Sequence, residues 1–200
     1  MLTHLPTTVW HYIRDAPATY LWLLTLLLTS QYLSHLPTAR STKLLAANST
    51  NLTRLRQAPL KVLITSAFFT AGTSWPFYLL TYTAFHAPTE HWLGTWRWLA
   101  LVALTHIGAT LISQTYVALA IRTHRLPESE REAPDYGVSY AQAGAAAMLT
   151  WRIPLPWRIP YLAAVLGFYL YGLAKNRRDF TALGHVCATI LGLSSFWLAP

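Results

Sequence analysis

Ser139 and His185 are the two side chains of this sequence whose types and positions could support nucleophilic catalysis. Ser139 lies at the start of an apolar segment rich in small residues, and His185 lies near the start of the last apolar segment. An imidazole that contacts a hydroxyl can take its proton and so turn the oxygen into a nucleophile. A catalytic serine–histidine pair is therefore the first hypothesis, and it depends on the elements that must bring the two side chains together.

Six apolar segments dominate the sequence and predict helices that cross a membrane. Most approach or exceed the roughly 17–25 residues that a helix needs to span a bilayer. Only 11% of the residues are charged, whereas about 25% is usual in soluble domains. The segments are residues 19–36, 62–85, 98–121, 136–151, 159–174 and 180–200. No linker is long enough to divide them, so we predict an all-α, multi-pass protein of the cell membrane with a single domain, residues 1–200.

Charge and cysteine content narrow the range of partners. The formal net charge is +8, but the basic residues flank the apolar segments, which predicts contacts with membrane lipids rather than with nucleic acid. Cys187 is the single cysteine, which argues against an internal disulfide and a cysteine-based metal site. We expect no metal and no cofactor. Twelve arginines against three lysines, with abundant alanine, favour a bacterial source.

The connections between the segments differ in length and charge. Residues 37–61 place basic residues among leucines and predict one or two short helices on the membrane surface. Residues 122–135 are polar and acidic, and we expect Asp135 at their end either to cap the next helix or to orient a base. The first, third and fifth connections carry eleven basic residues, and the other side of the membrane carries four. The positive-inside rule would place the eleven-charge side in the cytoplasm.

The alternation of helix direction puts Ser139 and His185 on the same side of the membrane. Because successive spans run in opposite directions, the second, fourth and sixth spans begin at one face. Ser139 lies three residues into its segment and His185 five. At ~1.5 Å per residue these positions are about 5 Å and about 8 Å deep. The similar depth predicts that the two side chains can meet inside the bilayer.

Small residues in both segments predict a close approach of the two helices. Gly184, Ala188 and Gly192 recur every four residues in the last segment, a spacing that lets helix backbones approach closely in lipid. The fourth segment contains a run of similarly small residues: Ala141, Ala143, Gly144, Ala145, Ala146 and Ala147. A serine–histidine hydrogen bond needs this proximity, since its heavy atoms must come within roughly 3 Å.

At these two motifs the sequence resembles the rhomboid intramembrane serine proteases. The nucleophile of that family lies in Gly-x-Ser-Gly at the start of a short fourth helix, and Gly137-x-Ser139 is similar to it. The general base of the family is a histidine in the sixth helix, followed by small residues three and seven positions later. His185 is followed in the same way by Ala188 and Gly192.

Two further stretches extend the resemblance over about residues 60–200. Residues 65–68 look like the start of the family's second helix, and residues 90–94 look like its Glu-x-x-x-Gly motif. The resemblance implies an intramembrane serine peptidase in which Ser139 attacks a membrane-anchored protein and His185 is the general base. It implies no metal or cofactor. It also implies an active site that opens away from the cytoplasm, which is opposite to the orientation from the charge count.

Several positions depart from the family's pattern. Trp75 and Leu79 stand where active rhomboids carry His-x-x-x-Asn, which helps to hold the oxyanion, and losing one such donor can cost about 100- to 1,000-fold in rate. Tyr140 replaces the glycine after the nucleophile, and Ala143 replaces the usual aromatic ring. Backbone N–H groups or Gln142 could supply other donors. The alternative function is a catalytically inactive rhomboid-like protein that binds membrane-protein clients.

His106 is an ionisable residue deep inside the third apolar segment. Ionisable groups near mid-bilayer often mark function, but a packing histidine bonded to Thr105 or to a neighbouring helix would also explain it. A bis-histidine haem site with His185 conflicts with their difference in depth. A small transporter or redox protein would carry polar pairs along a path through the bundle, and the sequence offers only scattered threonines, Gln114 and His106.

Overall fold

The computed structural model describes residues 5–71, 75–176 and 179–200. All regular structure in these ranges is helical, as the predicted all-α class requires. The α-helices are α1 Leu5–Arg14, α2 Pro17–Ser34, α3 Thr38–Ala47, α4 Leu52–Gln57, α5 Pro59–Thr65, α6 Trp75–Thr81, α7 Ala87–Leu93, α8 Thr95–Arg122, α9 Val138–Met148, α10 Arg158–Lys175 and α11 Phe180–Ser194. A π-helical turn, Tyr82–His86, joins α6 to α7, and 3-10 turns follow α5, α9 and α11.

Two helices of the described chain are long and apolar enough to cross a bilayer. They are α8, Thr95–Arg122, and the last helix with its 3-10 extension, Phe180–Leu198. Length and composition alone identify them. The count of six spans therefore stays a prediction.

The second apolar segment, residues 62–85, is not one helix, which corrects the sequence-based boundary. α5 begins earlier, at Pro59, and its 3-10 continuation ends at Phe68, after which Phe69 is extended with φ −124° and ψ 142°. α6 then begins at Trp75, followed by Pro76. Proline is tolerated in the first turn of a helix because its missing N–H has no intrahelical partner there. Gly72, Thr73, Ser74 and Pro76 disfavour an unbroken helix, and a segment defined only by its lack of charged residues includes them.

The connection after α2 contains the short helices that its leucines and basic residues predicted. α3 and α4 are joined by a turn, residues 48–51, whose side chains are buried. Asn51 caps α4, since its side chain accepts a hydrogen bond of 2.9 Å from the Arg54 N–H. The turn is thus fixed in two ways: its last residue, Asn51, caps α4, and its side chains are buried against the rest of the protein.

α11 packs against α8 and α9, and glycine permits the closest contact. A Cβ atom on Gly192 would lie 2.4 Å from the carbonyl oxygen of Gly144 and 2.8 Å from its Cα atom. Ala143 and Ala188 are fully buried in the same interface. The predicted close approach of the small-residue segments is confirmed.

Glu90 joins three elements through its buried carboxylate. Its oxygens accept hydrogen bonds from the Ala18 N–H at 3.1 Å, the Thr19 N–H at 2.7 Å and the Thr95 hydroxyl at 2.8 Å. The Glu90 side chain is only 1% exposed. The three hydrogen-bond donors replace the water that its carboxylate loses on burial, since a buried carboxylate is tolerated when it is well hydrogen-bonded. Gly94 follows with φ +78°, a backbone conformation that glycine adopts without strain, and lets the chain turn from α7 into α8.

Candidate active site

Ser139 and His185 line the same cavity. It has a volume of approximately 400 Å³ and lies between α6, α9, α10 and α11. Both also line a neighbouring cavity of approximately 220 Å³ beside the loop that precedes α9. Within the described chain no hydrogen bond joins the two side chains, so they share a cavity but are not bonded to each other. Other residues around the larger cavity are Phe77, Tyr78, Thr81, Gln142, Phe168, Tyr169, Asn176 and Asp179.

The imidazole of His185 stacks on an aromatic ring that sequence reasoning missed. Tyr169 of α10 lies parallel to it, with ring centroids 5.6 Å apart and an angle of 12° between the planes. The resemblance led us to look for this ring four residues after Ser139, at Ala143, which instead packs in the buried interface. No local signal singles out Tyr169, because its position over His185 depends on how α10 is rotated against α11.

Tyr140 is a second aromatic residue that contacts the same imidazole. Its ring meets His185 edge-on, with centroids 5.1 Å apart and planes at 72°. The side chain is fully buried and lines neither cavity beside Ser139. A Cβ atom on Gly184 would lie 2.5 Å from the Tyr140 ring, so the glycine makes room for it. The large residue after Ser139 therefore packs behind His185 and leaves the cavity open.

Asp135 does not cap α9, which corrects one of the two expected roles. The residue before α9 is Gly137, without a side-chain cap. The buried Asp135 carboxylate instead accepts a hydrogen bond of 3.2 Å from the Gln114 amide, and the Tyr140 hydroxyl lies beside it without an aligned bond. Its backbone N–H donates to the Ser49 hydroxyl at 2.8 Å, and its carbonyl accepts from the Thr50 N–H at 3.0 Å. Asp135 thus fastens the buried turn after α3 to α8.

Replacing Asp135 with asparagine is expected to flatten the dependence of stability on pH. Burial raises the pKa of Asp135 from about 3.8 to about 6. Because this pKa is higher in the folded chain, its contribution to stability is complete below about pH 4 and is lost as the pH rises through about 6. At roughly 1.4 kcal/mol per unit, the wild type should lose up to about 3 kcal/mol of stability relative to the variant between pH 4 and pH 7. Thermal unfolding in detergent between pH 4 and pH 7 measures this, and parallel curves for the two proteins would contradict it.

Comparison with known proteins identifies the family. A family model described as rhomboid-like protein matches residues 11–200. The chain belongs to the rhomboid-like protein family. No curated protein and no solved structure matches it. Family membership, together with the two long apolar helices, indicates a membrane protein.

The two positions that depart from the family's His-x-x-x-Asn pattern in this rhomboid-like protein do not face the cavity. Trp75 packs against the core, Leu79 is 45% exposed, and neither lines the cavity. Tyr78 and Gln142 do line it. The Gln142 amide nitrogen reaches the Thr81 carbonyl at 3.4 Å, which is long for a hydrogen bond. At the cavity, the candidate donors are the Gln142 amide and the N–H groups that the first turn of a helix leaves without intrahelical partners.

A second serine–histidine contact in this rhomboid-like protein, between Ser66 and His106, is not a nucleophile–base pair. The Ser66 hydroxyl is 3.3 Å from Nε2 of His106, and the same nitrogen is 2.7 Å from the Leu63 carbonyl oxygen. Because a carbonyl oxygen only accepts, Nε2 carries the proton and cannot take another from Ser66. His106 is a packing histidine bonded to a neighbouring segment, the simpler of the two sequence-based interpretations.

Proposed function

We propose that this rhomboid-like protein is an intramembrane serine peptidase, with Ser139 as nucleophile and His185 as general base. The observation that carries the proposal is that both line one cavity, while the rings of Tyr169 and Tyr140 both contact the imidazole. A histidine confined in this way loses little rotational freedom when it accepts a proton, so it is prepared for general-base catalysis.

The chemistry proceeds in two steps through an acyl-enzyme. The Ser139 oxygen attacks the scissile carbonyl carbon, and its proton passes to His185. The carbon–nitrogen bond then breaks, and His185 returns the proton to the departing amine. Water next attacks the ester with His185 again as base, which releases the carboxylic acid and restores the serine. The oxyanion of each tetrahedral intermediate is held by N–H groups of the first turn of α9, with Gln142 as an additional donor.

The walls of the cavity suit a membrane-anchored substrate. The aromatic residues Phe77, Phe168 and Tyr171 surround its polar centre. Phe168 and Tyr171 are largely exposed on the surface of α10. In this proposal six spans cross the membrane of a bacterial cell: α2, the α6–α7 helix, α8, α9, α10 and α11. The substrate is a transmembrane protein that unwinds locally beside Ser139.

Labelling with a fluorophosphonate serine probe tests the proposal on the purified protein in detergent. We expect the wild type to be labelled and Ser139→Ala to show only background labelling. Ser194→Ala removes an exposed serine of α11 and is the matched control, which should be labelled like the wild type. An unlabelled wild type, beside an active rhomboid protease that is labelled in the same detergent, would overturn the proposal.

The second candidate function is a rhomboid-like protein without catalysis that binds membrane-protein clients. Two observations favour it. Ser139 and His185 form no hydrogen bond with each other in the described chain, and Trp75 and Leu79 do not line the cavity. This candidate predicts that the wild type stays unlabelled. It also predicts that a photo-crosslinker at Phe168, on the cavity wall, captures transmembrane proteins equally well in wild type and Ser139→Ala.

A further inference from the structure

A separate cavity of approximately 490 Å³ lies at the opposite end of α9 from Ser139. Leu149, in its wall, is ten residues after Ser139, which corresponds to about 15 Å along a helix. Most of the wall is apolar, formed by Ala84, Phe85, Pro88, Leu149, Ile153 and Pro154. The positively charged Arg152 and the imidazole of His91 also line it. The cavity therefore combines an apolar interior with a cationic edge.

Two guanidinium groups at this end of the bundle have main-chain partners instead of carboxylates. Arg152 donates to the Pro88 carbonyl at 3.0 Å. Arg158 donates to the Ile153 carbonyl at 2.9 Å and lies over the Trp151 ring. Neither forms an ion pair in the part of the chain that the structure describes. Carbonyls fix their positions but leave their positive charge uncompensated.

The other polar groups of the cavity are already engaged. The Tyr12 hydroxyl donates to the Thr83 carbonyl at 2.9 Å, and the Tyr161 hydroxyl donates to the Ala146 carbonyl at 2.7 Å. Their rings consequently add to the apolar wall. His91 faces the Asp15 carboxylate at 3.9 Å. Arg152 is left as the lining group with full charge and unused N–H donors.

We propose that this cavity binds an anionic glycerophospholipid, with the phosphate on Arg152 and one acyl chain against Phe85 and Leu149. Guanidinium forms charge-assisted hydrogen bonds with phosphate oxygens in a fork-shaped geometry. The apolar interior can accommodate an acyl chain, which a lipid has and a free phosphate ion lacks. The exposed Trp151 and Trp157 nearby are residues that favour the headgroup level of a membrane. This site is independent of the proposed peptidase chemistry.

Lipid titration of the delipidated protein, followed by native mass spectrometry, tests the proposal. The probes are phosphatidylglycerol and phosphatidylcholine with identical acyl chains. We expect phosphatidylglycerol to bind more tightly, and Arg152→Gln to weaken its binding about fivefold, since one basic residue contributes ~1 kcal/mol toward anionic lipid. Arg97→Gln is the matched control, because it removes the same charge from an exposed position at the start of α8. Its affinity should stay within twofold of the wild type.

A second variant tests the place of the acyl chain. Ala84→Trp fills the cavity from an exposed position, and we expect it to weaken phosphatidylglycerol binding as much as Arg152→Gln does. Equal losses in Arg152→Gln and Arg97→Gln would overturn the proposal in favour of general surface charge. Binding of glycerol phosphate as tight as that of the lipid, or unchanged binding in Ala84→Trp, would also overturn it.

Discussion

Replacing His185 with glutamine is expected to slow fluorophosphonate labelling of Ser139 by about 10²- to 10⁴-fold, the range that a positioned general base contributes. Glutamine approximates the size of the imidazole, so its packing between Tyr169 and Tyr140 should survive. It cannot take the Ser139 proton. The rate constant of labelling, measured at several probe concentrations, gives the effect directly.

Two substitutions of Tyr169 test how much its contact with His185 contributes to the labelling rate. Tyr169→Phe keeps the stacked ring and should be labelled at nearly the wild-type rate. Tyr169→Ala removes the ring, and a loosened imidazole should lower the rate about tenfold or more, since a small misplacement of a reacting group can cost that much. Labelling of His185→Gln at the wild-type rate would show that another group activates the serine.

Replacing Gly192 with alanine is expected to destabilise the protein by about 1–3 kcal/mol or more, the range for added atoms in a packed core. The new methyl group would overlap the Gly144 backbone, at 2.4 Å from its carbonyl oxygen. A side chain could rotate away, but a backbone carbonyl within α9 cannot, so α9 and α11 must separate. Thermal unfolding in detergent, followed by tryptophan fluorescence, measures the loss.

Gly167→Ala is the matched control for this prediction. It lies on α10, and its added Cβ atom would meet nothing within 4 Å. Alanine has a higher helix propensity than glycine, so the control should unfold at the same temperature or slightly higher. If Gly192→Ala and Gly167→Ala unfolded together, the α9–α11 contact would be looser than the structure shows.

Local spacing predicted the features of this protein that depend on neighbouring residues. Gly184, Ala188 and Gly192 lie on one face of a helix because they are four residues apart, and that face is the one against α9. The motifs at Ser139 and His185, together with residues 65–68 and 90–94 in the family's order and spacing, predicted the rhomboid-like family, which is confirmed. In the first case the four-residue separation fixes the geometry, and in the second the order and spacing of the motifs carry the prediction.

Features that depend on the tertiary arrangement were not predictable in this way. Tyr169 stacks on His185 only because of the rotation of α10, which its uniformly apolar sequence does not reveal. Asp135 pairs with a turn that lies 86 residues earlier in the chain, at Ser49. Such contacts become visible only when the helices are placed together.

The carboxylate of Glu90 has a consequence for how the chain is made. It accepts hydrogen bonds from the start of α2, yet it is synthesised 72 residues after Ala18. α2 leaves the ribosome before Glu90 has been synthesised, so during this interval the N–H groups of Ala18 and Thr19 must be satisfied by water or by lipid headgroups. The hydrogen bonds that hold the start of α2 to Glu90 can therefore form only after α7 has been synthesised.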